Sequence, residues 1–223
     1  MLRSACAMVA AVLLITSLGL CQNQGHFDGS FNGAVVFTRS STANGIQQSA
    51  TIGANYFGTF RFRLKPKSKN SLIFNYGYMK NSQIYQTNFD YHQLDTIHEY
   101  TGAYVRNFYE KGKFQPFFLV GAGALGFYPR STWVFFANLQ PNNIPNRQQI
   151  NVNAQSQTEA ALLYGGGVDY KLPWKFALRL QYRGLYYNNP NFKVNTLNGS
   201  AISFVAGNRG HMAEPSVGLV FRF

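Results

Sequence analysis

Charge is scarce in this chain. Asp, Glu, Lys and Arg make up 13% of its 223 residues, about half the share found in ordinary soluble domains. Acid is scarcer still: 8 Asp and Glu stand against 20 Lys and Arg, a formal balance of +12. Only two cysteines occur, Cys6 and Cys21, both near the N-terminus. The body of the chain therefore has no disulfide framework, zinc–thiolate site or cysteine nucleophile. Beyond residue 20, no apolar run approaches the roughly 18 residues that a membrane-spanning helix needs. The histidines His26, His92, His98 and His211 are scattered with no metal-ligand spacing, so neither a metal nor another cofactor is expected.

Aromatic residues are plentiful at 16%, with 20 Phe and 14 Tyr, and there are 21 Gly. So much apolar surface argues against disorder. The length suits one all-β domain. A β-protein that meets lipid fits this composition.

The N-terminus reads as a secretory signal peptide over residues 1–21. Arg3 gives a positive start, Ala5 to Leu20 is apolar, and small residues (Ser17, Gly19, Cys21) precede the polar Gln22-Asn23-Gln24. Cleavage after Gly19 and after Cys21 both fit. A lipid-modified Cys21 is disfavoured by the bulky Leu20 before it. Residues 22–28 form a short N-terminal segment, and 29–223 a single barrel domain.

Period-two alternation between turn signals predicts eight strands: Gly29 to Arg39, Ser49 to Leu64, Ser71 to Met79, Thr96 to Tyr109, Phe114 to Tyr128, Thr158 to Tyr170, Trp174 to Tyr186 and Ala213 to Phe223. In the fourth, either Tyr100, Tyr104 and Phe108 or Ile97, Ala103 and Val105 face lipid. Most runs reach the 9–11 residues or so of a bilayer-crossing strand. Three connections are short and basic, carrying Lys65, Lys67, Lys69, Lys111, Lys113, Lys171 and Lys175. Those lysines either meet anionic headgroups or simply keep the turns soluble. The other connections, 40–48, 80–95, 129–157 and 187–212, are long. Short turns at one end, long loops at the other and an even strand count are the layout of outer-membrane barrels, with the short turns periplasmic. The loop 129–157 is polar and without periodicity, which marks it as functional or mobile.

One face of these strands carries Phe, Leu, Ile, Val, Ala and Tyr. The other carries Arg61, Arg63, Arg179, Arg183 and Arg222, with Glu159 and Asp169 available to pair. In hydrocarbon a sheet survives only when closed, and eight strands leave a lumen that side chains fill. The expected fold is therefore all-β: an eight-stranded antiparallel up-and-down transmembrane β-barrel with a filled polar lumen and a lumen charge network of those seven residues. A soluble lipocalin-like carrier would have the opposite polarity, apolar within. Tyr56, Tyr76, Tyr78, Tyr109, Tyr128, Tyr170, Tyr182, Tyr186, Tyr187 and Trp174 fall near strand ends, as an aromatic girdle would. The glycines at 121, 123, 126 and 165–167 make room in a tight lumen and let the sheet curve. Without a following Lys-Ser/Thr they do not make a phosphate loop.

The signal, the eight alternating runs and the ending Glu214-Pro215-Ser216-Val217-Gly218-Leu219-Val220-Phe221-Arg222-Phe223 resemble the outer-membrane β-barrel family related to the membrane domain of outer-membrane protein A. Phe221 and Phe223 are similar to the assembly signal that the barrel-assembly machinery recognises in that class. The resemblance implies a porin-like architecture in the cell envelope and contact with outer-membrane lipids, but no single activity. The role expected is structural, adhesive or surface-binding, toward an unknown extracellular ligand. Nucleic acid is not expected as a partner, because the chain is exported. The alternative is a lipid-modifying enzyme similar to the lipid A deacylases. His98-Glu99 or His211 with Glu214 would supply its base, although the His-x-Ser signature of that group is absent.

Overall fold

Phe, Tyr, Val and Thr at alternating positions favour strands over helices, and the computed structural model of the chain is all-β. It describes residues 27–43, 46–65, 68–86, 90–109, 112–138, 146–151, 154–195, 201–204 and 209–223. The expected signal peptide with Cys21, along with His26, Lys67 and Lys111, lies outside the described residues. The strands are β1 (Phe27–Thr38), β2 (Ser41–Ala43), β3 (Ile46–Gln48), β4 (Thr51–Arg63), β5 (Asn70–Gln86), β6 (Asp90–Asn107), β7 (Phe114–Asn138), β8 (Asn146–Asn151), β9 (Gln157–Lys171), β10 (Phe176–Asn188), β11 (Phe192–Asn195), β12 (Ala201–Phe204) and β13 (Arg209–Arg222).

Eight of them close a ring in the order β1, β4, β5, β6, β7, β9, β10, β13, each antiparallel to its neighbours. The seam between first and last runs from Asp28↔Arg222 to Thr38↔Met212. No edge is left unpaired in this ring, which is the condition for a sheet to sit in hydrocarbon. The remaining short strands decorate one end. β2 and β3 form a hairpin that joins β5 at Gln47↔Gln86. β8 pairs with the far part of β7, and β11 with β12 lies in the connection between β10 and β13.

The structure corrects the long connections. Residues 80–95 are not a loop: β5 and β6 stay paired from Lys80↔Thr96 to Gln86↔Asp90. β7 continues to Asn138, well past the expected end at Tyr128. The cause is chemical. Asn81, Gln83 and Gln93 fill the lumen, so an inward stripe has the composition of a loop. A register shift at Leu94/Asp95 also breaks the period. The fourth barrel strand, β6, buries Ile97, Glu99, Thr101, Ala103 and Val105 and turns Tyr100 outward, and Phe108 just past its end is exposed.

Along β5 the outward residues Leu72, Phe74, Tyr76 and Tyr78 lie between polar Asn70 and Lys80. Ten residues span about 33 Å along a strand. At a tilt of about 40° that is an apolar band roughly 25 Å tall, the height of a bilayer core as such barrels meet it. The paired stretch of β6 is bracketed by Thr96 and the exposed Arg106.

Where β7 and β9 run side by side, glycine is required by close approach. A β-carbon at Gly121 would stand 2.0 Å from the Gly102 carbonyl oxygen on β6, and one at Gly165 would stand 2.2 Å from that of Tyr182 on β10. Only hydrogen fits at either place.

Candidate functional site

Strand alternation sends every second side chain inward, and the inward set forms layers. The layer nearest the short turns holds Asp28 of β1, Arg61 and Arg63 of β4, Asp169 of β9, Arg179 of β10 and Arg222 of β13. Asp169 takes a two-pronged ion pair from Arg179, with Nε and Nη2 donating at 2.7 and 3.0 Å. Looser pairs reach it from Arg61 at 3.6 Å and Arg222 at 4.0 Å. Asp28 lies 3.6 Å from Arg61 and 3.7 Å from Arg63. The like charges of Arg61 and Arg179 share the ring of Phe117, each guanidinium 5.2 Å from its centroid. Negative ring density offsets part of their repulsion.

The next layer is built around Arg183 of β10. Its guanidinium donates to both oxygens of Glu99 at 2.9 and 2.8 Å and also to Glu214, and it lies 3.6 Å from the Phe57 ring centroid. Asn55 donates to both carboxylates, at 3.3 and 3.2 Å. A chain of hydrogen bonds from Thr59 through Asn75 and Thr101 ends on Glu99. All three ionic side chains are fully buried. Buried ions persist only where their donors and acceptors are met. These neighbours meet the carboxylates and leave Arg183 Nε as the one guanidinium nitrogen of this layer without an acceptor.

Above this layer the lumen turns apolar, with Val36, Met79, Ile97, Leu125, Phe127, Leu163, Leu185 and Met212 all buried. Beyond it, toward the extended hairpin, lies a polar plug. Gln83 and Gln93 donate to Asp95, while Tyr85 and Tyr91 donate to those two glutamines. Side chains thus occupy the barrel along its length.

The outer wall is the reverse. Phe31, Phe37, Ile52, Phe74, Leu162, Leu180 and Val217 project from it. Tyr56, Tyr76, Tyr109, Tyr128, Tyr182 and Tyr186 stand exposed on it. Trp174 is 93% exposed in the turn after β9, where its φ of 71° is one that glycine would prefer. Tyr187 departs from the expected girdle: it points inward at 2% exposure and packs on Phe127, ring centroids 5.6 Å apart.

Of the seven residues expected in a lumen charge network, the structure brings Arg61, Arg63, Asp169, Arg179 and Arg222 into one cluster and Arg183 into the other. Glu159 sits half-buried further up β9 and takes part in neither. The acids that pair with the arginines besides Asp169 are Asp28, Glu99 and Glu214, which the sequence reading does not place there. Asp28 falls just before the expected first strand, Glu99 follows His98, and Glu214 lies three residues after His211. Their inward phase is the available signal.

That same phase separates the residues of the enzyme alternative. His98 and Glu99 point to opposite faces, as do His211 and Glu214, three residues apart. His98 Nδ1 meets the Tyr76 hydroxyl at 2.9 Å and His211 Nε2 the Tyr164 hydroxyl at 2.7 Å, both on the outer wall. Both carboxylates serve Arg183 inside.

No protein-family model and no curated protein matches the chain. Solved structures do. A major outer membrane protein of Thermus thermophilus is similar over 87% of this chain and 99% of its own, at 11% identity and a TM-score of 0.50. The outer membrane protein OprG of Pseudomonas aeruginosa is similar over 90% and 98% respectively, at 14% identity and a TM-score of 0.49. Neisserial surface protein A is similar over 91% and 100%, at 13% identity and a TM-score of 0.46. With its closed ring, ionic interior and apolar outer wall, this chain has the fold of the small outer-membrane β-barrels.

Proposed function

We propose that the chain is an integral protein of the bacterial outer membrane, exported by a signal peptide over residues 1–21, with its barrel domain over 29–223. Its role is structural or adhesive, carried by the outer hairpins. One observation supports this reading above others: Arg61, Arg179 and Arg183 are buried in the lumen, while Phe31, Phe37 and Phe74 stand on the outer wall. A soluble carrier would need the opposite arrangement. A lumen filled by ion pairs and apolar side chains leaves little space for transport. The chain invests instead in strands that outrun the apolar band, with β5 and β6 continuing several residues past Lys80 and Thr96. Surfaces held out on rigid elements suit recognition. Lipids contact the wall, and the barrel-assembly machinery would read the last strand with Phe221 and Phe223.

Site-directed labelling tests the placement. In a background with Cys21 changed to Ser, a membrane-impermeant maleimide added to intact cells should label Gln86→Cys. It should spare Lys113→Cys until the outer membrane is opened. Equal labelling of both, or release of the protein by alkaline extraction of membranes, would contradict it. For the adhesive role, replacing Gln86 through Asp90 with Asn-Gly, which keeps the buried Tyr85 and Tyr91 of the plug, should leave the melting temperature within a few degrees, because closing a shorter loop changes the free energy by only about 1 kcal/mol. It should also lower the adhesion of expressing cells to surfaces. Unchanged adhesion would point to a purely structural role.

A further inference from the structure

The lumen layer nearest the short turns carries more positive charge than its partners offset. Among the described residues, four guanidinium groups (Arg61, Arg63, Arg179, Arg222) face two carboxylates (Asp28, Asp169). Asp169 is engaged by the two-pronged pair from Arg179, while Arg61 and Arg222 stand 3.6 and 4.0 Å from it. The contacts of Asp28 are 3.6 and 3.7 Å, too long for hydrogen bonds. As a result, the Nε groups of Arg61, Arg63 and Arg222 are buried donors without an acceptor. A buried donor left unmet keeps its desolvation cost uncompensated, and three occur in one place.

The register shows how they converge. Asp28 on β1 is flanked by Arg61 on β4 and Arg222 on β13 as direct cross-strand partners. Arg63 follows two residues along β4, on the same inward face. Arg61 is only 2% exposed at its side chain, whereas Arg63 and Arg222 are each 20% exposed at theirs. The site therefore has a closed floor and an open rim, reached from the end of the barrel that carries the basic turns.

We propose that this mouth of the lumen is an oxyanion site. It takes a phosphate-type group between the guanidinium groups of Arg63 and Arg222, with Arg61 behind them. A phosphate dianion would neutralise the surplus of two charges, and guanidinium N–H groups match its oxygens in spacing and direction. The group comes either from a free phosphorylated solute or from a phospholipid headgroup reaching around the rim. The proposal rests on the lumen geometry and holds whichever way the barrel is oriented in a membrane.

The test uses the full chain folded in phosphatidylcholine vesicles, with inorganic phosphate as the probe. The thermal midpoint should rise with phosphate and level off, as stabilisation by a bound ligand requires. Sodium chloride at matched ionic strength should leave it unmoved. The double variant R63Q/R222Q should bind phosphate at least tenfold more weakly, and R63Q alone serves if the double variant does not fold. Lys175→Gln, in the nearby turn, should respond like the parent. A second arm omits phosphate and dopes the vesicles with phosphatidic acid. Protection there that R63Q removes identifies a headgroup, while protection only by free phosphate identifies a solute. A midpoint that follows ionic strength alone, or an undiminished response in the variants, overturns the site.

Discussion

Arg183 is the residue at which charge is hardest to lose. Its guanidinium is the cation between Glu99 and Glu214, all three fully buried. Arg183→Leu strands two acids in the interior and should cost about 3–5 kcal/mol, read by urea unfolding in vesicles. The triple variant Arg183→Leu, Glu99→Gln, Glu214→Gln removes both signs together and should recover most of that loss. A single-variant cost below about 1 kcal/mol, the size of an exposed pair, would contradict the cluster's role. On the outer wall the sign of the preference reverses. Phe31 is 61% exposed there, and Phe31→Arg should destabilise by about 2–4 kcal/mol in a bilayer. Phe31→Leu, measured in the same way, should change little.

At the scale of elements, the existence of the eight strands is legible because alternation survives in a half-buried sheet. Their lengths are not. The sequence pattern ends β5 too early and starts β6 too late because the inward residues Asn81, Gln83, Gln93 and Asp95 are polar, and a polar lumen inverts the usual cue that polar means solvent. The glycines of β7 and β9 are legible as a crowding signal, and the structure locates the crowding against the carbonyl groups of β6 and β10. Gly121→Val should therefore push two strands apart and sharply reduce the folded fraction recovered in refolding. Gly58→Ala, where a β-carbon meets nothing within 4 Å, should fold as the parent does. Equal yields for both would remove close approach as the reason for glycine.

The whole molecule is a cylinder with its ions inside, packed by side chains from the arginine layer to the tyrosine plug. In planar bilayers it should give no steady single-channel conductance, and large persistent steps would show that the packing opens. Composition and alternation are enough for the class: an all-β chain whose opposite faces suit opposite solvents, because period-two alternation writes both faces into every strand. Who pairs with whom emerges in the folded ring alone. Asp28, Glu99 and Glu214 meet Arg61, Arg63 and Arg183, and the hydrogen bond from Asn55 to Glu214 joins residues 159 apart in sequence. Alternation fixes a side chain's face but not its height in the barrel or its neighbour across the lumen. Those depend on the stagger between strands, which is set when the ring closes.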